Sequence, residues 1–173
     1  MKVEVVPHNP QWKQEFNNES QKIQEVLADN VVIIHHIGST AIPDIYAKPV
    51  IDFLIEVKNI ELISQQTAAM EKLGYEALGE FGLVGRRYFR KENPLGIRTH
   101  HVHIYQINSL EIKRHLAFRD YMVAHPQDAE KYSQLKQELA KKYPNDIESY
   151  MDGKNEFVKK MEQKAMQWQK FDE

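Results

Sequence analysis

The stretch HHIGSTAIPDIYAKPVIDFLIEV, residues 35–57, decides the fold. It joins the end of one apolar run to the start of another through a loop that carries Gly38, Ser39 and Thr40 and holds Lys48 between Pro43 and Pro49. VVIIHHI, residues 31–37, is β-branched and stops at Gly38, so it reads as a buried strand, and VIDFLIEV, residues 50–57, reads as a second. Alternate residues of a strand share a face, which puts Asp52, Leu54 and Glu56 on one side of the second strand and Ile51, Phe53, Ile55 and Val57 on the other. The second set is the core face. An ionised carboxylate costs several kcal/mol to desolvate alone, so Asp52 calls for a cation, a donor network or water.

Working outward, helix and strand signals alternate. Asn9-Pro10 predicts a capped helix start, followed by near-helical recurrence of Trp12, Phe16, Ile23, Val26 and Leu27 up to about Asp29. Asn59 caps a helix that carries Ile63, Met70 and Leu73 and ends at Gly74. Short strands are expected at 75–78, 86–91 and 102–107, and the C-terminal third reads as three helices, 109–124, 126–142 and 146–170, broken at Pro126 and Pro144. The last helix has an apolar series, Ile147, Met151, Val158, Met161, Ala165 and Trp168, interrupted by Lys154. Lys154 either lays its methylenes on the core and reaches water or points at an anion. Tyr132, Lys136 and Leu139 form a packing stripe in which Lys136 is expected to be solvated.

Composition sets the limits. The 173 residues, 42% hydrophobic and 28% charged, suit one domain spanning 1–173. A formal charge of −2 argues against a general nucleic-acid coat, and the absence of cysteine leaves His, carboxylate and carbonyl oxygen as metal ligands. No run approaches the ~18 apolar residues of a membrane span, so the sequence reads as soluble and cytoplasmic.

Two constellations carry chemistry. Backbone N–H groups and hydroxyls at Gly38, Ser39 and Thr40 suit a phosphate, although such a tripeptide commonly makes only a turn. In RTHHVHIYQ, residues 98–106, His101 and His103 share a strand face about 7 Å apart along the strand, usable for one metal, with His100 pointing the other way. With Asp52, and Glu56 further along its strand, they would form a His, His, carboxylate set suited to zinc, manganese or iron. Strand histidines are more often structural.

The pieces HIGSTAIPDIYAKPVIDFLIEV, LGYEALGEFGLVGRRYF, THHVHIYQ, LAFRDYMVAHPQDAEKYSQLKQELA and YMDGKNEFV, in this order, resemble the GrpB family of the nucleotidyltransferase superfamily over nearly the whole chain. The resemblance implies an α+β fold: a nucleotidyltransferase-like mixed β-sheet with flanking helices and a helical C-terminal third. It implies transfer of a nucleotidyl group from a nucleoside triphosphate to an acceptor, with Gly38 and Ser39 at the phosphate turn and Asp52 on the first metal carboxylate, two magnesium or manganese ions bracing the reacting oxygens. Lys48, Arg98 or Lys154 would offset pyrophosphate charge. Arg119, in LAFRDYM, would grip phosphate, or else join Asp120 in structural ion pairs; as adjacent helix residues the two face different ways and each needs its own partner. The superfamily's second carboxylate falls two residues after the first, and that place is Leu54, which cannot ligate magnesium. His101 and His103 would then supply ligands, favouring a softer metal such as zinc. Two further classes stand beside the transferase: a module that binds a nucleotide or phosphorylated metabolite, by analogy one related to coenzyme A, and a scaffold whose polar residues only stabilise the fold.

Overall fold

The computed structural model of the chain describes residues 2–172. The chain forms two compact units: a sheet unit of Pro10–Ile37 and Val50–Ile112, and a helical unit of the N-terminal stretch to Asn9, Gly38–Pro49 and the chain from Lys113 onward.

In the sheet unit the order is α1 (Trp12–Leu27), β1 (Val31–Ile37), β2 (Ile51–Val57), α2 (Ile63–Lys72), β3 (Tyr75–Ala77), β4 (Arg87–Glu92) and β5 (Arg98–Gln106). The five strands form one mixed sheet in the order β1-β2-β5-β4-β3, parallel only between β2 and β5. The core face is the one that β2's alternation predicts: Ile51, Phe53, Ile55 and Val57 are buried, as are Val102 and Ile104 opposite Phe53 and Ile55 on β5. Each such side chain contributes about 1.5–3 kcal/mol by leaving water. Phe16 of α1 stacks on His36 and Phe53, at 4.7 and 5.1 Å between centroids, so α1 covers this face. His100, pointing to the same side, stacks on Phe53 at 6.0 Å.

Three local expectations need correction. The first helix begins at Trp12 with Gln11 at its N-cap and no side-chain cap, two residues after the Asn9-Pro10 signal. β1 is a strand but not a buried one: Val32 and Ile33 are 44% and 46% exposed, because β1 lies at a sheet edge, with β2 its only strand neighbour among the described residues. β5 starts four residues before the predicted 102, and the register with β4 is irregular near that start, between Lys91 and Glu92. Asn59 caps as expected, its side chain accepting from the Glu61 N–H at 3.0 Å, and Gly74 takes φ +101° after α2, a conformation only glycine adopts cheaply.

The helical unit contains α3 (Leu110–Ala124, from Lys113), α4 (Pro126–Lys142) and α5 (Ile147–Asp172). Ile42 and Ile45 from the 38–49 segment join Ala117, Tyr121, Met122, Ala129, Tyr132, Met161 and Ala165 in its core, and a smaller cluster joins Val3, Leu139 and Tyr150. The 38–49 segment is held by backbone hydrogen bonds between Val6 and Ala47 and by the Ser133 hydroxyl, which accepts from the Tyr46 N–H at 2.9 Å. Helices α4 and α5 approach closely at Gly153, where an added Cβ would lie 2.5 Å from Leu139 Cδ2. The apolar stripe of α5 includes Ile147, which packs against the Val3, Leu139 and Tyr150 cluster, but the fully buried Tyr150 takes the place expected for Met151, which is exposed. Lys136 is also corrected: it is 1% exposed and lies over the Tyr132 ring instead of reaching water.

Candidate functional site

Ladder register arranges the polar face of the sheet in rows. Ile37, Asp52, His101 and Arg90 form one row across β1, β2, β5 and β4, and His35, Leu54, His103 and Tyr88 form the next. Paired residues share a side of the sheet, so Asp52 meets both imidazoles: its Oδ1 lies 3.4 Å from His101 Nδ1 and 3.6 Å from His103 Nε2. Burial by itself would raise the Asp52 pKa, but the His101 and His103 groups beside it overcome that and hold the carboxyl well below the usual range. Asp52 is ionised here.

Arg86 was not singled out by the sequence, yet it organises this face. Its Nη1 lies 3.3 Å from His103 Nδ1, its Nε donates to the Glu80 carbonyl at 3.2 Å, its Nη2 donates to the Phe81 carbonyl at 2.9 Å, and its guanidinium stands 4.6 Å from the Tyr88 ring centre. A guanidinium only donates, so in the tautomer that pairs with Arg86 His103 accepts at Nδ1 and carries its proton on Nε2, toward Asp52. Burial and the Asp52 charge raise the Tyr88 pKa, against the opposing charges of Arg98, Arg90 and Arg86. Arg98 Nε and His101 Nε2 are buried with no hydrogen-bond partner. Arg90 is engaged by Glu76 at 3.2 Å. The signal for Arg86 was present in GRRYF, but nothing in its spacing distinguishes it from Arg87.

The two-magnesium centre does not fit these residues. Leu54 is 0% exposed, so the second carboxylate's place is part of the packed interior. Glu56 is held by His35, whose Nε2 lies 2.6 Å from Glu56 Oε2, and the sequence reading missed this pair because it joins residues 21 apart. A nitrogen-accepting metal fits in part: 3.4 and 3.6 Å resemble a ligand-to-ligand edge about zinc, ~3.3 Å for bonds of ~2.0–2.1 Å. Arg86, however, fixes the His103 lone pair on the nitrogen away from Asp52, and among the described residues no three His, Cys, Asp or Glu side chains are arranged to hold a metal ion.

The other expected site residues belong to the helical unit. Gly38 takes φ +75° ahead of a short 3-10 turn, Ser39–Ala41, whose Ala41 and Ile42 N–H groups donate back to Gly38 and Ser39 carbonyls. Ser39 is half-buried, while Thr40 is buried at 2% exposure. Lys48 and Lys154 converge on Tyr150, their Nζ atoms 5.8 and 5.3 Å from its ring centre. Arg119 differs from expectation: its Nε and Nη2 both reach Asp120 Oδ1 at 2.9 Å, because the side chains fold along the helix surface toward each other.

Comparison with known proteins bears on this arrangement. The family model described as GrpB protein matches residues 2–164. The chain belongs to the GrpB family. A GrpB relative, the UPF0157 protein YqkA of Bacillus subtilis, is 46% identical over 98% of this chain and 49% of its own length, and the glutamate-rich protein GrpB of Alkalihalophilus pseudofirmus is 33% identical over 82% of this chain and 83% of its own. The chain thus spans about half the length of YqkA. The crystal structure of GrpB from Enterococcus faecalis is 45% identical, with a TM-score of 0.92 over 98% of this chain and 100% of that one. A structure of Cid1 in complex with its short product ApU is 13% identical, with a TM-score of 0.54 over 79% of this chain and 43% of that chain. GrpB-family architecture therefore carries a nucleotidyltransferase-like fold. Among the described residues no helix is long and apolar enough to cross a membrane.

Proposed function

We propose that this chain binds a nucleotide or phosphorylated metabolite on a nucleotidyltransferase-like fold and does not perform two-magnesium nucleotidyl transfer. One observation carries the proposal: Leu54 is sealed in the interior where a second carboxylate would stand, while the remaining carboxylate, Asp52, faces His101 and His103 at 3.4 and 3.6 Å. Two cations support this reading: Arg86, 3.3 Å from His103, and Arg98, whose Nε is buried with no hydrogen-bond partner. Coenzyme A-related nucleotides and nucleoside triphosphates are the ligand classes to try first.

The test is calorimetric titration and thermal shift with these ligands, in EDTA and in magnesium, alongside an assay for released pyrophosphate. Binding that persists in EDTA without turnover is expected. Absence of binding in both buffers overturns the proposal in favour of a scaffold. Pyrophosphate release that Asp52→Asn abolishes overturns it in favour of the transferase.

That second reading has its own support in the two short distances from Asp52 to the imidazoles, which suit a nitrogen-accepting metal. A bound metal would supply Lewis-acid stabilisation of phosphate oxygen. Stoichiometric zinc or manganese in the purified protein, lost in Asp52→Asn, is what this reading requires.

A further inference from the structure

Helices α4 and α5 each present a tyrosine and a lysine four residues apart, hence on one face: Tyr132 with Lys136, and Tyr150 with Lys154. The two pairs are neighbours. Tyr132 of α4 stacks on Phe157 of α5 with ring centres 5.7 Å apart, and Gly153, next to Lys154, approaches Leu139 so closely that an added Cβ would lie 2.5 Å from its Cδ2. Lys136 Nζ lies 4.2 Å from the Tyr132 ring centre, and Lys154 Nζ and Lys48 Nζ lie 5.3 and 5.8 Å from the Tyr150 ring centre. Lys136 Nζ and Tyr150 Oη are both buried with no hydrogen-bond partner. Two orphaned donors inside a core are costly. Aromatic rings offset part of the ammonium cost but accept no conventional hydrogen bond from the phenol beside them.

We propose that Lys136, Lys154, Lys48 and the Tyr150 hydroxyl form a subsite for a multiply charged phosphate group within the helical unit. Every group named is a donor or a cation, and a phosphate group presents acceptor oxygens alone, so one ligand satisfies both orphaned atoms and relieves the repulsion between the ammonium groups. Lys48 and Lys154 are half-buried, whereas Lys136 is fully buried. Free pyrophosphate and the phosphate chain of a nucleotide share this chemistry. The subsite involves only the helical unit and stands whether or not a ligand binds at Asp52.

Thermal shift and titration with sodium pyrophosphate in EDTA, at matched ionic strength, test it. The wild type is expected to be stabilised, and Lys136→Met and Tyr150→Phe to bind about 10-fold or more weakly, the effect of losing one hydrogen bond to a charged group. Both variants keep the buried shape, and Lys136→Met removes an unsatisfied charge, so neither is expected to melt below wild type. An ATP arm compared with adenosine separates phosphate-chain recognition from base recognition. No stabilisation of wild type by pyrophosphate, or unchanged affinity in both variants, overturns the subsite. Loss of pyrophosphate binding in these variants but not in Asp52→Asn separates it from the Asp52 reading.

Discussion

Asp52 and His101 are direct ladder partners across the one parallel strand pair, and Asp52 Oδ1 lies 3.4 Å from His101 Nδ1. Leu54, two residues on, is a ladder partner of His103 and is fully buried. Introducing a carboxylate by Leu54→Asp, at the position where the resemblance would put one, is therefore expected to cost stability, not to create a magnesium centre. Loss of a buried leucine and burial of a carboxylate beside Asp52 together cost about 3–5 kcal/mol or more. Urea denaturation of Leu54→Asp and of the uncharged Leu54→Asn separates the charge from the cavity, and an Asp variant as stable as wild type contradicts the packing described.

Glu56 serves the β1 edge and not the Asp52 cluster. The Glu56→Gln change leaves a neutral hydrogen bond to His35 where a charge-assisted one stood, and Glu56→Ala leaves none. Losses of under about 1 kcal/mol and about 1–2 kcal/mol are expected, read from denaturant midpoints, with phosphate-ligand affinity unchanged. Weaker ligand binding in Glu56→Gln would return this residue to the site.

Glu19 of α1 is buried and accepts from Lys91 Nζ at 2.8 Å and Tyr75 Oη at 3.0 Å, which ties the helix to β4 and β3. Burial would raise its pKa, but Lys91 and Tyr75 outweigh that and leave it lowered. A lowered carboxyl pKa contributes stability that is present above the unfolded value near 4.5 and is lost as pH falls through the folded value. Glu19→Ala, which strands the Lys91 ammonium, is expected to cost about 3 kcal/mol and to flatten the acid limb of a pH–stability curve below pH 4.5.

Lys136 has the opposite sign. Burial, with Lys154 close by, brings its pKa down to about 7 from 10.5. Between these values the unfolded chain holds more protons than the folded one, so stability rises with pH across that window, with a slope approaching about 1.4 kcal/mol per pH unit. The groups facing it are Tyr132 on its own helix and Lys154 on α5. Lys136→Met is expected to remove this slope, seen in melting curves from pH 7 to 10. Sulfate, whose charge is constant over that range, is expected to stabilise wild type more at pH 6.5 than at pH 8.5, since an anion favours the charged ammonium.

Much of the fold was legible because it is written in local periodicity. The two-residue alternation of 50–57 identified the core face of β2, and Pro126 and Pro144 delimited α4 closely, since proline cannot continue a helix from within. The exposure of Val32 and Ile33 was not legible: whether an apolar strand is central or at an edge depends on sheet order, which periodicity does not encode.

The sequence by itself determined the GrpB family resemblance, the strands and helices, and the sidedness that places Asp52 on the polar face of β2. Only the tertiary structure decided what that carboxylate meets, because His101 and His103 arrive through a parallel pairing about fifty residues away in the chain, and Arg86 reaches His103 from a loop. It decided equally that Lys136 is buried and Glu56 is taken by His35. Charge in a sequence is a number of residues, whereas its chemistry is set by distance and by water, and both come into being only when the chain folds.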